Sequence, residues 1–347
     1  MTKRTLSSAW ARTFQRSMAA LTRSTVQASQ GTARAALKKS VANLATKSPP
    51  RGAGEWISGM VIGAAGVRRY RLYRPAGARS GQRSPLMVML HGCGQDANSF
   101  ATSTRMNTLA ERAGFWVLYP EQDRLSNLRG CWNWFDTDSG RAYGEVALIM
   151  AAIDQVLTLY PVDRTRVAVA GLSAGASMAA LAATRHPQRF QAVVMHSGIP
   201  PGVAHSGLSA LGVMQGSRKS ALSAVSLATL TTRAQPWPPL LVIHGAQDSV
   251  VDITHAQAAV RLWTGGIDVA TASPTRSSQR GKRHPAVVTH YKQGKGRQAP
   301  TVATLVEVSR MGHAWSGGLA TQPYGDAQGP DASRMAWAFA AKQFGLK

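Results

Sequence analysis

The chain has 347 residues, enough for one large α/β core with extensions, and 40 Lys and Arg against 16 Asp and Glu give it a net charge of +24. Its two cysteines lack metal-ligand spacing, so neither a zinc site nor a cofactor is expected. No zinc finger, helix-turn-helix or aromatic-interleaved RNA motif accompanies the basic charge, so specific nucleic-acid recognition is not expected either.

Residues 1–54 carry ten Lys and Arg and no acid; the first is Glu55. Trp10, Phe14, Met18 and Leu21 share one helical face, with Arg12, Arg16 and Arg23 opposite, the pattern of an interfacial amphipathic helix. A disordered basic tail and an organellar transit peptide are the alternatives. Either way, 1–54 is read as an extension and linker before a catalytic domain at 55–347, with an anionic granule or membrane surface as its expected partner. No apolar core of signal-peptide length and no transmembrane run is recognised, which points to a cytoplasmic or polymer-granule location, with export as the alternative.

After the extension, residues 66–73 alternate like an antiparallel edge strand. Apolar runs at 86–90, 115–119, 167–170, 192–196 and 240–243 then alternate with helical patterns at 102–112, 145–160, 174–184, 255–264 and 332–344. Short apolar strands between helices predict a mostly parallel sheet covered on both faces. Residues 200–235, rich in Ser, Gly and Ala, interrupt the alternation and read as a candidate cap. Residues 271–299 hold seven Lys and Arg and no acid, and read as a solvent-exposed basic insertion. Removing the ten basic residues of the extension still leaves 30 against 16, a net +14.

Chemistry concentrates at the ends of the predicted strands. Gly171-Leu-Ser-Ala-Gly175 lies between a strand and a small-residue helix, the context of a nucleophile elbow with Ser173 at its tip. A serine hydroxyl needs a base and an orienting carboxylate. Asp248 follows the 240–243 strand and His313 lies in a Gly-flanked loop after a strand at 304–308, so the order Ser, Asp, His is that of an α/β-hydrolase. Asp252 is the competing acid and His196 the competing base, while His91 and His244 read as structural. The backbone N–H groups of Ala174 and of Cys93, in His91-Gly-Cys-Gly-Gln95, are the expected oxyanion donors. Trp132, Trp134 and Trp315 are candidate exposed substrate-binding aromatics, with core packing as their alternative.

These motifs, with Cys131-Trp-Asn-Trp-Phe135 and Gly312-His-Ala-Trp-Ser-Gly-Gly318, resemble the polyhydroxybutyrate depolymerase family of esterases from about Ser58 to the C-terminus. The resemblance implies an α/β-hydrolase fold with Ser173 as nucleophile, His313 as base and Asp248 as acid. It also implies a Cys93–Cys131 disulfide, whereas the residues alone leave a pair of reduced thiols open. The expected activity is hydrolysis of short-chain polyester or oligoester bonds through an acyl-enzyme. Feruloyl or acetyl-xylan ester hydrolysis is the second reading, and a non-catalytic granule- or membrane-surface protein the third.

Overall fold

A computed structural model describes residues 50–346 except 79–80, 206–235, 266–270, 273–275 and 295–298. The amphipathic pattern at 1–49 and most of the candidate cap therefore lie outside the described residues. Residues 50–347 form one compact unit.

Two strands, β1 (Glu55–Gly63) and β2 (Gly66–Arg74), form an antiparallel pair at one side of the sheet. The alternation at 66–73 thus belongs to the second strand, and the edge is β1, whose Met60 and Ile62 are exposed. Next come β3 (Ser84–Leu90), α1 (Ala97–Thr104), α2 (Met106–Ala113) and β4 (Trp116–Pro120). The single helix expected at 102–112 is broken at Arg105, whose left-handed φ of 55° ends α1 and starts α2. Then follow α3 (Arg141–Leu159), β5 (Val162–Leu172), α4 (Ala174–Arg185), β6 (Ala192–His196), β7 (Leu240–Gly245) and α5 (Thr254–Thr264). The chain ends with β8 (Thr271–Ala272), β9 (Arg276–Ser278), β10 (Ala286–Lys292), β11 (Thr301–Val308), β12 (Trp315–Ser316), β13 (Gly325–Asp326) and α6 (Ala332–Gln343).

The large sheet runs β1-β2-β4-β3-β5-β6-β7-β11-β10-β8, with β9 beside β10. Its centre, β4 through β11, is parallel, and both flanks are antiparallel. The reading of 271–299 as a solvent-exposed insertion is corrected for 286–292, which form β10, pair with β11 along its whole length and bury Ala286 and Thr289. Among the described residues the expected exposure is kept at 277–282, which include the turn between β9 and β10, and at His290, Gln293 and Gly294.

Strand periodicity of two explains how apolar runs cover both faces. Leu86, Val88, Val167, Val169, Val193, Met195, Leu240 and Val242 pack on one face with α3, α4 and α5. Their immediate neighbours Met87, Met89, Ala168, Ala170, Ala192, Val194, Leu241 and Ile243 pack on the other with α1, α2 and α6. Helix α3, at 19 residues, is long and apolar enough to cross a membrane by length and composition. Here its apolar stripe, including Val146, Ile149, Ile153 and Val156, packs in the first of these clusters. The expected mostly parallel sheet with helices on both faces is thus present. Its parallel strands end along one edge, where the loops carrying chemistry collect.

Candidate active site

Strand β5 turns into α4 at Ser173, which adopts φ 55° and ψ −122°. That region is costly for a residue with a side chain and marks stored strain. The turn is fixed by the Ser173 N–H donating to the His196 carbonyl at 2.8 Å and by the Ser177 N–H donating to the Ser173 carbonyl at 3.0 Å. Glycines on either side are obligatory: a Cβ on Gly171 would collide with the Gly175 backbone, and one on Gly175 with the Leu90 carbonyl. Ser173 is 7% exposed and lines a cavity of about 510 Å³.

His313 lines the same cavity. Its Nδ1 lies 2.8 Å from Oδ2 of Asp248, whose side chain is fully buried. The other carboxylate oxygen accepts the N–H groups of Val250 and Val251, both at 2.9 Å. Burial pushes the Asp248 carboxyl up, but the His313 hydrogen bond, the His313 charge and the Val251 amide outweigh it and hold the group below its ordinary value. An ionised Asp248 accepts the Nδ1 proton, which leaves Nε2 for proton exchange. Asp252 is placed elsewhere: its carboxylate accepts the Thr254 N–H at 2.8 Å at the start of α5.

The remaining candidate histidines are committed to structure. His196 is fully buried, its Nε2 accepts the Ser316 N–H at 3.0 Å, and its ring stacks on Trp315. Burial, followed by the charges of His244 and His313, pushes it down to about 3. His91 accepts the Gln122 N–H on Nε2 and therefore donates from Nδ1 to the Gly92 carbonyl; burial pushes it down to about 4. His244 donates to the Val251 carbonyl at 2.8 Å, and burial lowers it too. The His91 and His196 imidazoles stay neutral in the fold down to about pH 4 but accept protons when unfolded, near pH 6.5. Their stability contribution is present above that pH and is lost as pH falls towards 4, by up to about 1.4 kcal/mol per pH unit for each group. Thermal melts should therefore show Tm falling steeply between pH 6.5 and 4. A flat profile over that window would contradict the neutral assignments.

Cys93 and Ala174 both line the cavity beside Ser173. The loop carrying Cys93 is tied down on three sides. A disulfide joins Cys93 to Cys131, Gly94 N–H donates to the Arg129 carbonyl at 2.9 Å, and Gly92 N–H donates to the Gln95 side chain at 2.9 Å. Beneath it lies a buried polar network that the sequence reading missed. Glu145 accepts from the Asn133 backbone and side chain and from Gln122, whose amide also donates to the Cys131 carbonyl; Arg68 donates to Gln122 and to the Glu121 carbonyl. The available signal was Glu145 itself, an acid directly before the apolar run 146–153.

The tryptophans require correction, since none is exposed. Trp132 and Trp134 do line the cavity, but Trp132 is fully buried, with its N–H donating to the His91 carbonyl at 3.0 Å and the Arg68 guanidinium 5.2 Å from its ring centre. Trp315 does not line the cavity. It packs edge-on to Phe100, stacks with His196 and donates to the Ser333 hydroxyl. It fixes the His313 loop from the core side.

Residues 68–280 match the family model described as Esterase PHB depolymerase. The chain belongs to this esterase family. It is 30% identical over 234 residues to poly(3-hydroxyalkanoate) depolymerase C of Paucimonas lemoignei, covering 66% of this chain and 55% of that protein. It is 32% identical over 131 residues to feruloyl esterase B of Neurospora crassa, covering 37% of this chain and 44% of that one. The chain thus spans about half the length of these two curated relatives. Among solved structures, an acetyl xylan esterase from Aspergillus awamori superposes with a TM-score of 0.60 at 18% identity, over 75% of this chain and 94% of that one. That likeness concerns the fold alone.

Proposed function

We propose that this family member is a serine ester hydrolase acting on short-chain polyesters or their oligomers. The observation that carries the reading is the 2.8 Å contact between Nδ1 of His313 and the buried Asp248, at a cavity that also holds the strained Ser173. Nε2 of His313 takes the Ser173 proton as Oγ attacks the ester carbonyl. The N–H groups of Cys93 and Ala174 stabilise the oxyanion, and the protonated imidazole releases the alcohol. Water, deprotonated by His313, then attacks the acyl-enzyme and frees the acid. Apolar walls that include Trp134, Phe135 and Ile199 suit an aliphatic acyl chain.

Hydrolysis of 3-hydroxybutyrate oligomers should exceed that of methyl ferulate by about tenfold or more in kcat/KM. The reverse ranking would favour a second reading, an esterase of plant-polymer acyl groups, which the relationship to feruloyl esterase B supports. The basic residues of 1–54 support attachment to an anionic granule or membrane surface. Protein lacking them should then stay in solution when anionic liposomes are pelleted; unchanged pelleting would dismiss that role. The Cys93–Cys131 disulfide speaks for the exported alternative over a cytoplasmic one.

A further inference from the structure

A second cavity, of about 670 Å³, lies between α6 and the β9–β10 turn and shares no lining residue with the one at Ser173. Arg105 enters it from the α1–α2 junction, Arg280 and Arg283 from the β9–β10 turn, and Arg334 from the first turn of α6. Among the described residues the only carboxylate lining it is Asp331, which already pairs with Arg334 at 3.5 Å and caps α6 by accepting the Arg334 N–H; the lining His284 lies 3.5 Å from the Asp326 carboxylate. Arg105 and Arg283 are anchored by donating to the Gly317 and Gly329 carbonyls, which among the described residues leaves most of their N–H groups unused. Four guanidiniums therefore face one carboxylate. Arg105, Arg280 and Arg334 are exposed and Arg283 half-buried, so water screens their mutual repulsion while the charge stays open to an anion. The floor is different in kind: Val288, Val306 and Met335 are apolar.

An inorganic anion would meet the arginines and leave the floor uncovered. A neutral aliphatic molecule would cover the floor and leave the charge unmet. We infer that this groove is a second binding site, for a single-chain amphiphile with an oxyanion head. Guanidinium forks hold the carboxylate or phosphate oxygens in bidentate fashion, and the aliphatic body lies along the valines and methionine. The inference is independent of the esterase reading, since the site has its own residues and its test needs no turnover.

The experiment is calorimetric titration of the full chain with decanoate and with decyl phosphate below their micelle concentrations, with decanol and inorganic phosphate as controls. The comparison protein carries Arg280→Glu and Arg334→Glu, two exposed positions outside the Ser173 cavity, with Arg280→Gln as a milder variant; melting curves confirm folding. Wild type should bind at least one amphiphile about tenfold more tightly than either control, and the charge-reversed protein should lose about tenfold in affinity for it. Tighter binding of decanoate or of decyl phosphate identifies the head group as carboxylate or phosphate, and either supports the site. Binding of decanol or of inorganic phosphate as tight as that of the amphiphiles overturns it. So does the absence of amphiphile binding, or affinity unchanged by both sets of substitutions.

Discussion

Ser173→Ala is expected to reduce turnover of p-nitrophenyl butyrate by about a millionfold, the loss typical of removing the nucleophile from a serine hydrolase in which base and acid then have nothing to act on. Stability should move the other way or barely at all. The residue at 173 sits at a positive φ of 55°, its main-chain N–H and carbonyl carry the hydrogen bonds that fix the turn, and its hydroxyl makes no hydrogen bond to another described residue. Alanine keeps both main-chain bonds and suffers the same backbone strain as serine. A melting temperature within a few degrees of wild type, with activity gone, is the combined signature. Retention of more than about a hundredth of the activity would mean that another group attacks the ester, since a non-covalent route through the oxyanion donors alone is far slower.

The chemistry of this site was legible where it depends on local backbone. The glycines around Ser173 report a turn in which a Cβ has no room, and that need is met within five residues. Asp248 and His313 could be named because each follows an apolar strand and because their order along the chain has one well-known meaning. Long-range placement was less accessible. Trp315 stands two residues from His313, yet its ring is held by Phe100, His196 and Ser333, partners from three other parts of the chain. Strand β10 was hidden for a related reason. Its basic neighbours made the whole of 271–299 look solvated, whereas 286–292 form a strand that pairs with β11 along its length and buries Ala286 and Thr289. The network on Glu145 was equally out of reach, because Gln122, Asn133 and Arg68 surround it only once β2, β4 and α3 are packed together.

Exchanging Asp248 for asparagine should lower kcat by about ten thousandfold, or roughly 5.5 kcal/mol of transition-state stabilisation, while Asp252→Asn should stay within about threefold of wild type. The argument is one of tautomers. Asp248 accepts from Nδ1 of His313 at 2.8 Å and from two backbone amides through its other oxygen. In the variant the amide must still accept from Val250 and Val251, because those buried N–H groups have no cheap alternative, so its oxygen is turned to them and its NH₂ faces His313. An NH₂ can only donate, which forces Nδ1 to become the acceptor and moves the ring proton to Nε2, the position that must be empty to receive the Ser173 proton. The imidazole stays in place but in the wrong protonation form. Two readouts separate this from simple loss of structure. The variant should recover activity as pH rises far enough for serine to ionise without help, and its KM for a neutral ester should change much less than its kcat. If instead Asp252→Asn produces the large loss, then the carboxylate at the start of α5 reaches the base in the working enzyme, and the buried contact at Asp248 is structural.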